Sequence, residues 1–424
     1  MLTPSSMLSL GDRPLSHNSR LNYRRRVIGG GPSDWWLENC RIGRVRYCSR
    51  RRTILVISLY AAVVVLFQNN LTAYHAFTGG ATSTTTMTTK TDDNNDISTK
   101  STVHLRSIVS SSAATKVVVV ATAPRASKQR GLLTAEKLYY SRRQHKVNEY
   151  RHSTVLVPSG LCRSDTFMAI LVHSSPTNVD RREAIRITWG DAALKGTWPN
   201  MNQKNGSTMS RLCFAFVLGL HNNETVNRAI RQEHARYNDI IQGDFIDDYR
   251  NMTLKSLLDL KAVDERCPGV QYVLKSDDDM IINLPYLLDI LAAKPLTRSF
   301  MGPYNPRSRV YREGAWKLTI EEFPFDFYPP YESGSAYVIT RDLIHELFVA
   351  AEYVPHIFVD DVYITGILGR ILGVNHARRR GFAYWGSKTP TACDLIRRKV
   401  ITGTKMHPQR LCALWNDIQL NPKC

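Results

Sequence analysis

Apolar and polar positions divide the chain into four stretches. A mostly polar start is followed by an uncharged apolar run, Thr53 to Phe67 (TILVISLYAAVVVLF), and then by a long polar stretch without sustained apolar periodicity. From about Asp165 short apolar runs alternate regularly with amphipathic segments. Phe167 to Val172 reads as a buried strand, Asp180 to Trp189 as a helix and Leu212 to Leu218 as a second strand. Glu224 to Tyr237 predicts a polar amphipathic helix, and Ile240 to Phe245 a strand. Thr253 to Arg266 predicts a helix whose Leu254, Leu257, Leu258 and Leu260 share a face, and Tyr272 to Lys275 a further strand. This order predicts an α/β fold: a mostly parallel twisted sheet with helices on both faces and ligands at the carboxyl ends of the strands.

The run from Thr53 has about the minimum apolar length for a membrane span, and residues toward Leu71 and Tyr74 extend it. Arg50, Arg51 and Arg52 precede it directly, which places the N-terminal side in the cytoplasm. It begins too far into the chain for a cleaved signal peptide. A buried helix of a soluble protein would leave the arginine cluster unexplained. The expected organisation is a basic cytoplasmic tail (1–52), a single-span signal anchor (53–74), a Thr/Ser-rich stem (75–152) and a lumenal globular domain (153–424). The stem contains the tract ATSTTTMTTKTDDNNDISTK, which cannot bury enough surface to fold. Leu132 to Tyr140 predicts a short helix near the domain boundary.

A net charge of +19 invites a nucleic-acid reading, but its distribution excludes that. Residues 1–52 hold 11 Lys+Arg against 3 Asp+Glu and residues 68–152 hold 12 against 5, leaving 33 against 29 in residues 153–424. The excess belongs to the tail and stem, and no basic recognition motif appears in the domain. Six of the 8 cysteines (Cys162, Cys213, Cys267, Cys393, Cys412 and Cys424) fall after residue 153, a number compatible with disulfides in an oxidising compartment. Sequons occur at Asn70, Asn205, Asn223 and Asn251, in keeping with a lumenal domain.

Three consecutive aspartates, Asp277, Asp278 and Asp279, stand between Tyr272-Val273-Leu274 and Met280-Ile281-Ile282. Like charges at a strand end repel one another and resist desolvation, so the arrangement calls for a cation, and a divalent metal with a phosphate-bearing substrate is the natural occupant. A second acidic pair, Asp360 and Asp361, lies between Ile357-Phe358-Val359 and Val362-Tyr363. One such carboxylate can accept a proton from an attacking hydroxyl, and carboxylates at a helix N-terminus also suit its dipole.

Five segments occur in an order that resembles the β-1,3-galactosyltransferase and β-1,3-N-acetylglucosaminyltransferase family, glycosyltransferase family 31. They are RREAIRITWG (181–190), DFIDDYRNMTLKSL (244–257), YVLKSDDDMIIN (272–283), YPPYESGSAYVIT (328–340) and VDDVYITGILG (359–369). The resemblance covers roughly residues 165–424. It implies a Golgi type II membrane protein with a glycosyltransferase A fold, an inverting mechanism, a UDP-sugar donor, an acceptor glycan and Mn²⁺. On this resemblance Asp279 is the metal ligand, while Asp277 or Asp278 contacts the ribose or a metal-bound water. Asp361 is the base, with Asp360 raising its proton affinity or orienting it. Arg182, Arg186 and Trp189 fall near the nucleotide, and Asp244, Asp247, Tyr249 and Lys255 shape the donor pocket. Gly334 lets the backbone approach the donor and acceptor sugars closely.

Two departures stand out. Glu332 occupies a position where many relatives carry cysteine or a small residue, which bears on sugar preference. Relatives usually carry a metal-binding histidine four residues before the proline that opens the last helix, and counting back from Pro408 gives Thr404. His407 is then the candidate ligand through a local shift, unless another group or water completes the shell. The rival expectation from another class is a catalytically inactive, membrane-anchored glycan-binding relative.

Overall fold

The computed structural model describes residues 136–424 apart from 200–208, 210 and 421. The tail, the apolar run 53–74, most of the stem and the sequons at Asn70 and Asn205 lie outside the described residues. Among the described residues no helix is long and apolar enough to cross a membrane.

An 8-stranded sheet forms the middle of the domain. In chain order the strands are β1 (Thr154–Leu156), β2 (Met168–His173), β3 (Leu212–Leu220), β4 (Ile240–Ile246), β5 (Tyr272–Asp277), β6 (Ile281–Ile282), β7 (Ser299–Met301), β8 (Tyr304–Asn305), β9 (Tyr331–Glu332), β10 (Ala336–Thr340), β11 (Asn375–His376) and β12 (Thr402–Gly403). The large sheet runs β1-β4-β3-β2-β5-β10-β7-β11, while β12 pairs with β6 and β8 with β9. Strands β4, β3, β2 and β5 are mutually parallel. The large sheet is mostly parallel as expected: β7 and β11 share the direction of these four strands, while β1 and β10 run against their neighbours. Strand β10 starts with Ala336 opposite Ser276. The preceding Gly334-Ser335 therefore meets the carboxyl end of β5, where the aspartates begin.

Side chains alternate across a strand, and β2 feeds two cores in this way. Met168, Ile170 and Val172 enter one core. Ala169 and Leu171 enter the other. The helices are α1 (Val179–Arg186), α2 (Trp189–Lys195), α3 (Glu224–Tyr237), α4 (Met252–Arg266), α5 (Leu284–Ala293), α6 (Ile344–Ala351), α7 (Gly369–Leu372), α8 (Ala392–Ile396) and α9 (Pro408–Gln419). Helices α1, α2, α5 and α9 cover the first core. Helices α4 and α6, with a π-helical segment Val362–Leu368 that runs into α7, cover the second.

The helix expected from Asp180 to Trp189 is two helices. Thr188 departs from helical geometry (φ −122°, ψ −119°), and its hydroxyl donates to the Ala184 carbonyl at 2.6 Å, an alternative to the backbone ladder. The break turns Trp189 fully inward.

The packed unit reaches back into the segment read as stem. Glu136–Tyr139 is helical. Tyr139 sits edge-on to Phe323 and Phe325, and the N–H groups of Arg143 and Val147 donate to the carbonyls of Tyr353 (2.9 Å) and Glu352 (2.8 Å). Cys393 is bonded to Cys424. Cys162 lies within disulfide reach of both Cys213 and Cys267, with Cα separations of 5.4 and 5.2 Å.

Candidate active site

A cleft of about 1180 Å³ opens at the carboxyl ends of the parallel strands. This is where an open α/β sheet leaves room for a ligand, because the loops leaving adjacent strands diverge. Strand β2 delivers Ser174, β4 delivers Asp247, and β5 delivers Asp277 to Asp279. From the opposite side come Gly334 and Ser335 ahead of β10, and Asp360 and Asp361 ahead of the π-helical segment.

The three aspartates have different partners. Asp277 accepts from the buried Lys275 ammonium at 2.7 Å, yet withdrawal from water pushes its carboxyl up to about 6 against the pull of that cation. Lys275 also donates to the Gly334 carbonyl at 2.6 Å. Asp278 is buried and fully engaged: Arg181 (2.9 Å), Asn178 (2.9 Å) and Ser174 (2.8 Å) all donate to it. Among the described residues Asp279 makes no ion pair and no hydrogen bond to another side chain. Burial raises its carboxyl above the ordinary range. From behind, the Trp189 indole N–H holds the Met280 carbonyl at 3.0 Å and the Met406 N–H holds that of Asp279 at 2.9 Å.

Asp361 stands across from this group. Its Oδ2 accepts the Gly334 N–H at 2.7 Å and its Oδ1 accepts the Val362 N–H at 2.7 Å. Even so its carboxyl is pushed up to about 7, first by withdrawal from water and then by the like charge of Asp360. Asp360 is buried and accepts the Ser256 hydroxyl at 2.7 Å. A Cβ on Gly334 would lie 3.2 Å from Asp361 Oδ2, so the close approach requires the absence of a side chain. A carboxyl that titrates near neutrality, held by two backbone donors, is suited to general-base work. The π-helical turn directly after it is a deviation often found at functional sites.

Lys255 is buried between Asp247 (2.8 Å) and the Ser174 carbonyl (3.1 Å), tying the ends of β4 and β2 together. Tyr249 is half exposed on the rim, hydrogen-bonded to the Trp316 indole. Trp385 and Tyr384 also line the cleft, 68% and 51% exposed.

Five expected site residues lie elsewhere. Arg182 is fully buried, its guanidinium divided between Glu233 (2.7 and 2.8 Å) and the carbonyls of Ser175 and Pro176. Arg186 pairs with Asp239 and Glu233 and packs over the Tyr237 ring. Trp189 is core and reaches the cleft only through its bond to Met280. Asp244 lies on the outer side of β4, accepting from His152 and Ser153 and so fastening the start of the domain to the sheet. His407 is exposed and caps α9, its Nδ1 accepting the Arg410 N–H at 3.4 Å, while Thr404 lines the cleft. Glu332 likewise points inward, to His376 at 3.0 Å, and does not line the cleft.

The cleft also contains residues that the sequence reading missed. Arg181 lies one position from the arginine singled out, and the face that α1 presents to β5 decides between them. Lys275 stood inside a recognised motif, two residues before the first aspartate. The His173–Asp259 pair on the cleft floor (2.6 Å) and Arg378 to Arg380 had no sequence signal. Burial holds the His173 imidazole well below its ordinary range and Asp259 well above.

The model of the family described as "Galactosyltransferase" matches residues 180–380. β-1,3-Galactosyltransferase 1 of Mus musculus is 29% identical over 283 residues, covering 65% of this chain and 81% of its own. β-1,3-Galactosyltransferase 5 of Pan paniscus is 34% identical over 269 residues, covering 62% of this chain and 84% of its own. With the ordered motifs and the carboxylates that they bring to one cleft, these similarities make the chain a member of the β-1,3-galactosyltransferase family, glycosyltransferase family 31, and a hexosyltransferase.

Proposed function

We propose that this hexosyltransferase has a glycosyltransferase A fold and moves galactose from UDP-galactose to a hydroxyl of an acceptor glycan, with inversion, in β-1,3 linkage. The carrying observation is Asp361, a carboxyl pushed up to about 7 and fixed by two backbone N–H groups, facing the cleft across from Asp279. In this reading the acceptor oxygen attacks the anomeric carbon as its proton passes to Asp361, and the bond to the diphosphate breaks on the opposite face. Gly334 leaves the space in which Asp361 and the sugar meet. Lys275 sets the Gly334 carbonyl and Asp277 in one arrangement, and Asp277 reaches toward the donor's nucleoside. Arg181 pairs with Asp278 at 2.9 Å and keeps the triplet loop in place. The rim aromatics receive the acceptor glycan.

Mn²⁺ is part of the proposal. Asp279, with the second oxygen of Asp277, forms the kind of small oxygen set by which a hard cation is held jointly with substrate phosphates. When bound, the ion would neutralise charge on the diphosphate as a Lewis acid. The histidine expected as a further ligand does not fit, since His407 is turned to the last helix.

We further infer that residues 53–74 anchor the chain in the Golgi membrane as a single-pass type II protein with the catalytic domain lumenal. Support comes from the uncharged run after Arg50 to Arg52 and from the Cys393–Cys424 bond.

The test offers the full-length chain UDP-galactose, UDP-N-acetylglucosamine and UDP-N-acetylgalactosamine with a panel of acceptors, beside Asp361→Asn. Galactose transfer that falls about 10²–10⁴-fold in the variant, with Tm retained, is expected. Transfer of N-acetylglucosamine instead would replace the donor, and wild-type rates in Asp361→Asn would remove the assigned base.

A further inference from the structure

The cations of the cleft fall into two sets. Lys255, Lys275 and Arg181 are each neutralised by a carboxylate of the same cleft, Asp247, Asp277 and Asp278 respectively. Arg378, Arg379 and Arg380 also line the cleft, are exposed, and have no ion-pair partner among the described residues. Arg378 is committed to Tyr304, stacking 4.4 Å from its ring centre and donating to its hydroxyl at 3.2 Å. Arg379 and Arg380 have no such occupation.

The backbone fixes the end of the cleft to which these two belong. Arg380 is followed by Gly381, whose carbonyl accepts the N–H groups of Ile401 (2.7 Å) and Thr402 (3.2 Å). Thr402 and Gly403 form β12, which pairs with Ile282 and Ile281 just beyond Asp279. Ser335 Oγ donates to the Ala383 carbonyl at 2.7 Å, drawing the same segment toward Gly334. Arg379 and Arg380 are thus carried on a strap stitched to the Asp279 side, where Asp279 and the second oxygen of Asp277 offer a cation only a small set of protein ligands. Thr404, at the position where the resemblance calls for a metal-binding histidine, contributes only a neutral hydroxyl.

We propose that Arg379 and Arg380 bind the donor's diphosphate directly, so that this chain holds its nucleotide without depending on a divalent ion for affinity. The proposal rests on the reading that the donor is a UDP-sugar. Guanidinium forks match phosphate oxygens in pairs and carry fixed charge at every working pH. A neutral glycan hydroxyl would not require two uncompensated cations, whereas a diphosphate supplies the counter-charge that the strap lacks.

Calorimetric titration of the full-length chain with UDP and with uridine, in Mn²⁺ or in EDTA, tests this. Wild type is expected to bind UDP in EDTA within about tenfold of its affinity in Mn²⁺. The Arg379→Ala/Arg380→Ala variant should lose about 100-fold for UDP in EDTA, near tenfold per charge-assisted contact, with uridine affinity and Tm unchanged. Arg379→Lys/Arg380→Lys, which keeps charge and loses the fork, should fall between and serves if the alanine variant does not fold. The proposal is overturned, with the donor reading intact, if wild type binds UDP only with Mn²⁺ or if the variants bind UDP as wild type does. A variant defect confined to the acceptor KM also overturns it and assigns the strap to the glycan. Failure of wild type to bind UDP in both buffers overturns the donor reading itself.

Discussion

Replacing Asp360 by Asn should move the acid limb of the pH–rate profile downward. Asp361 must be ionised to accept a proton, so transfer falls as pH drops through its pKa, which stands at about 7 against an ordinary 3.8. Withdrawal from water is the larger cause and the charge of Asp360 the second. Removing the neighbour's charge should lower this carboxyl, and each pH unit of that fall is equivalent to about 1.4 kcal/mol. At pH 6 a carboxyl with a pKa near 7 is about one-tenth ionised, and one with a pKa near 6 about half. With a fall of about one unit, Asp360→Asn should accordingly raise kcat/KM about fivefold at pH 6 and by less than about twofold at pH 8. The amide oxygen can still accept the Ser256 hydroxyl that now bonds Asp360 at 2.7 Å, so the packing is retained. The assay is kcat/KM for galactose transfer from pH 5 to 9 under saturating acceptor. An acid limb that stays in place or moves upward would refute both the electrostatic account and the choice of Asp361 as base.

Other perturbations probe other parts of the molecule. Arg182→Met should lower stability by about 3–5 kcal/mol in denaturant titration, because Glu233 loses a buried partner, while donor KM stays within about twofold; a large KM increase with intact stability would return Arg182 to the donor site. Gly334→Ala, whose Cβ would press on Asp361 Oδ2 at 3.2 Å, should reduce kcat about tenfold with Tm unchanged, a displacement of tenths of an ångström at the base being enough. Peptide mapping under non-reducing conditions should find Cys162 joined to Cys213 or to Cys267, the third cysteine of the cluster remaining a thiol that reacts only after denaturation; Cys162 found free or joined to a cysteine outside the cluster would refute this.

Elements governed by local pattern were legible in the sequence. Glu224 to Tyr237 forms the helix that its polar periodicity predicts, with Asn223 capping it, and the aspartates stand at the end of β5 as their apolar flanks predict. Residues whose role depends on distant partners were not. The four-residue spacing of Arg182 and Arg186 correctly puts them on one face of α1. That face meets Glu233 and Asp239, some fifty positions later, and no periodicity shows that the face turns away from the cleft. His407 is drawn out of the site by the local need of α9 for an N-cap, a use that outweighs any chemistry its residue type suggests. Arg378 to Arg380 carry no sequence signal, because it is the pairing of β12 with β6 that ties their strap to the segment just beyond the aspartates.

The tyrosine-bearing segment ahead of residue 153 has a practical meaning for shortening the chain. Tyr139, Tyr140 and Tyr150 pack against the core that contains Tyr363 and Leu368, and Glu136 is paired with Arg370 just beyond the π-helical turn. A truncation at residue 153 would strip these rings from the core that holds the π-helical turn after Asp360 and Asp361, whereas one placed ahead of residue 136 leaves them seated. The segment therefore acts as a brace: forms of the chain begun too late should express as loosened, weakly active protein even though every residue of the cleft is present.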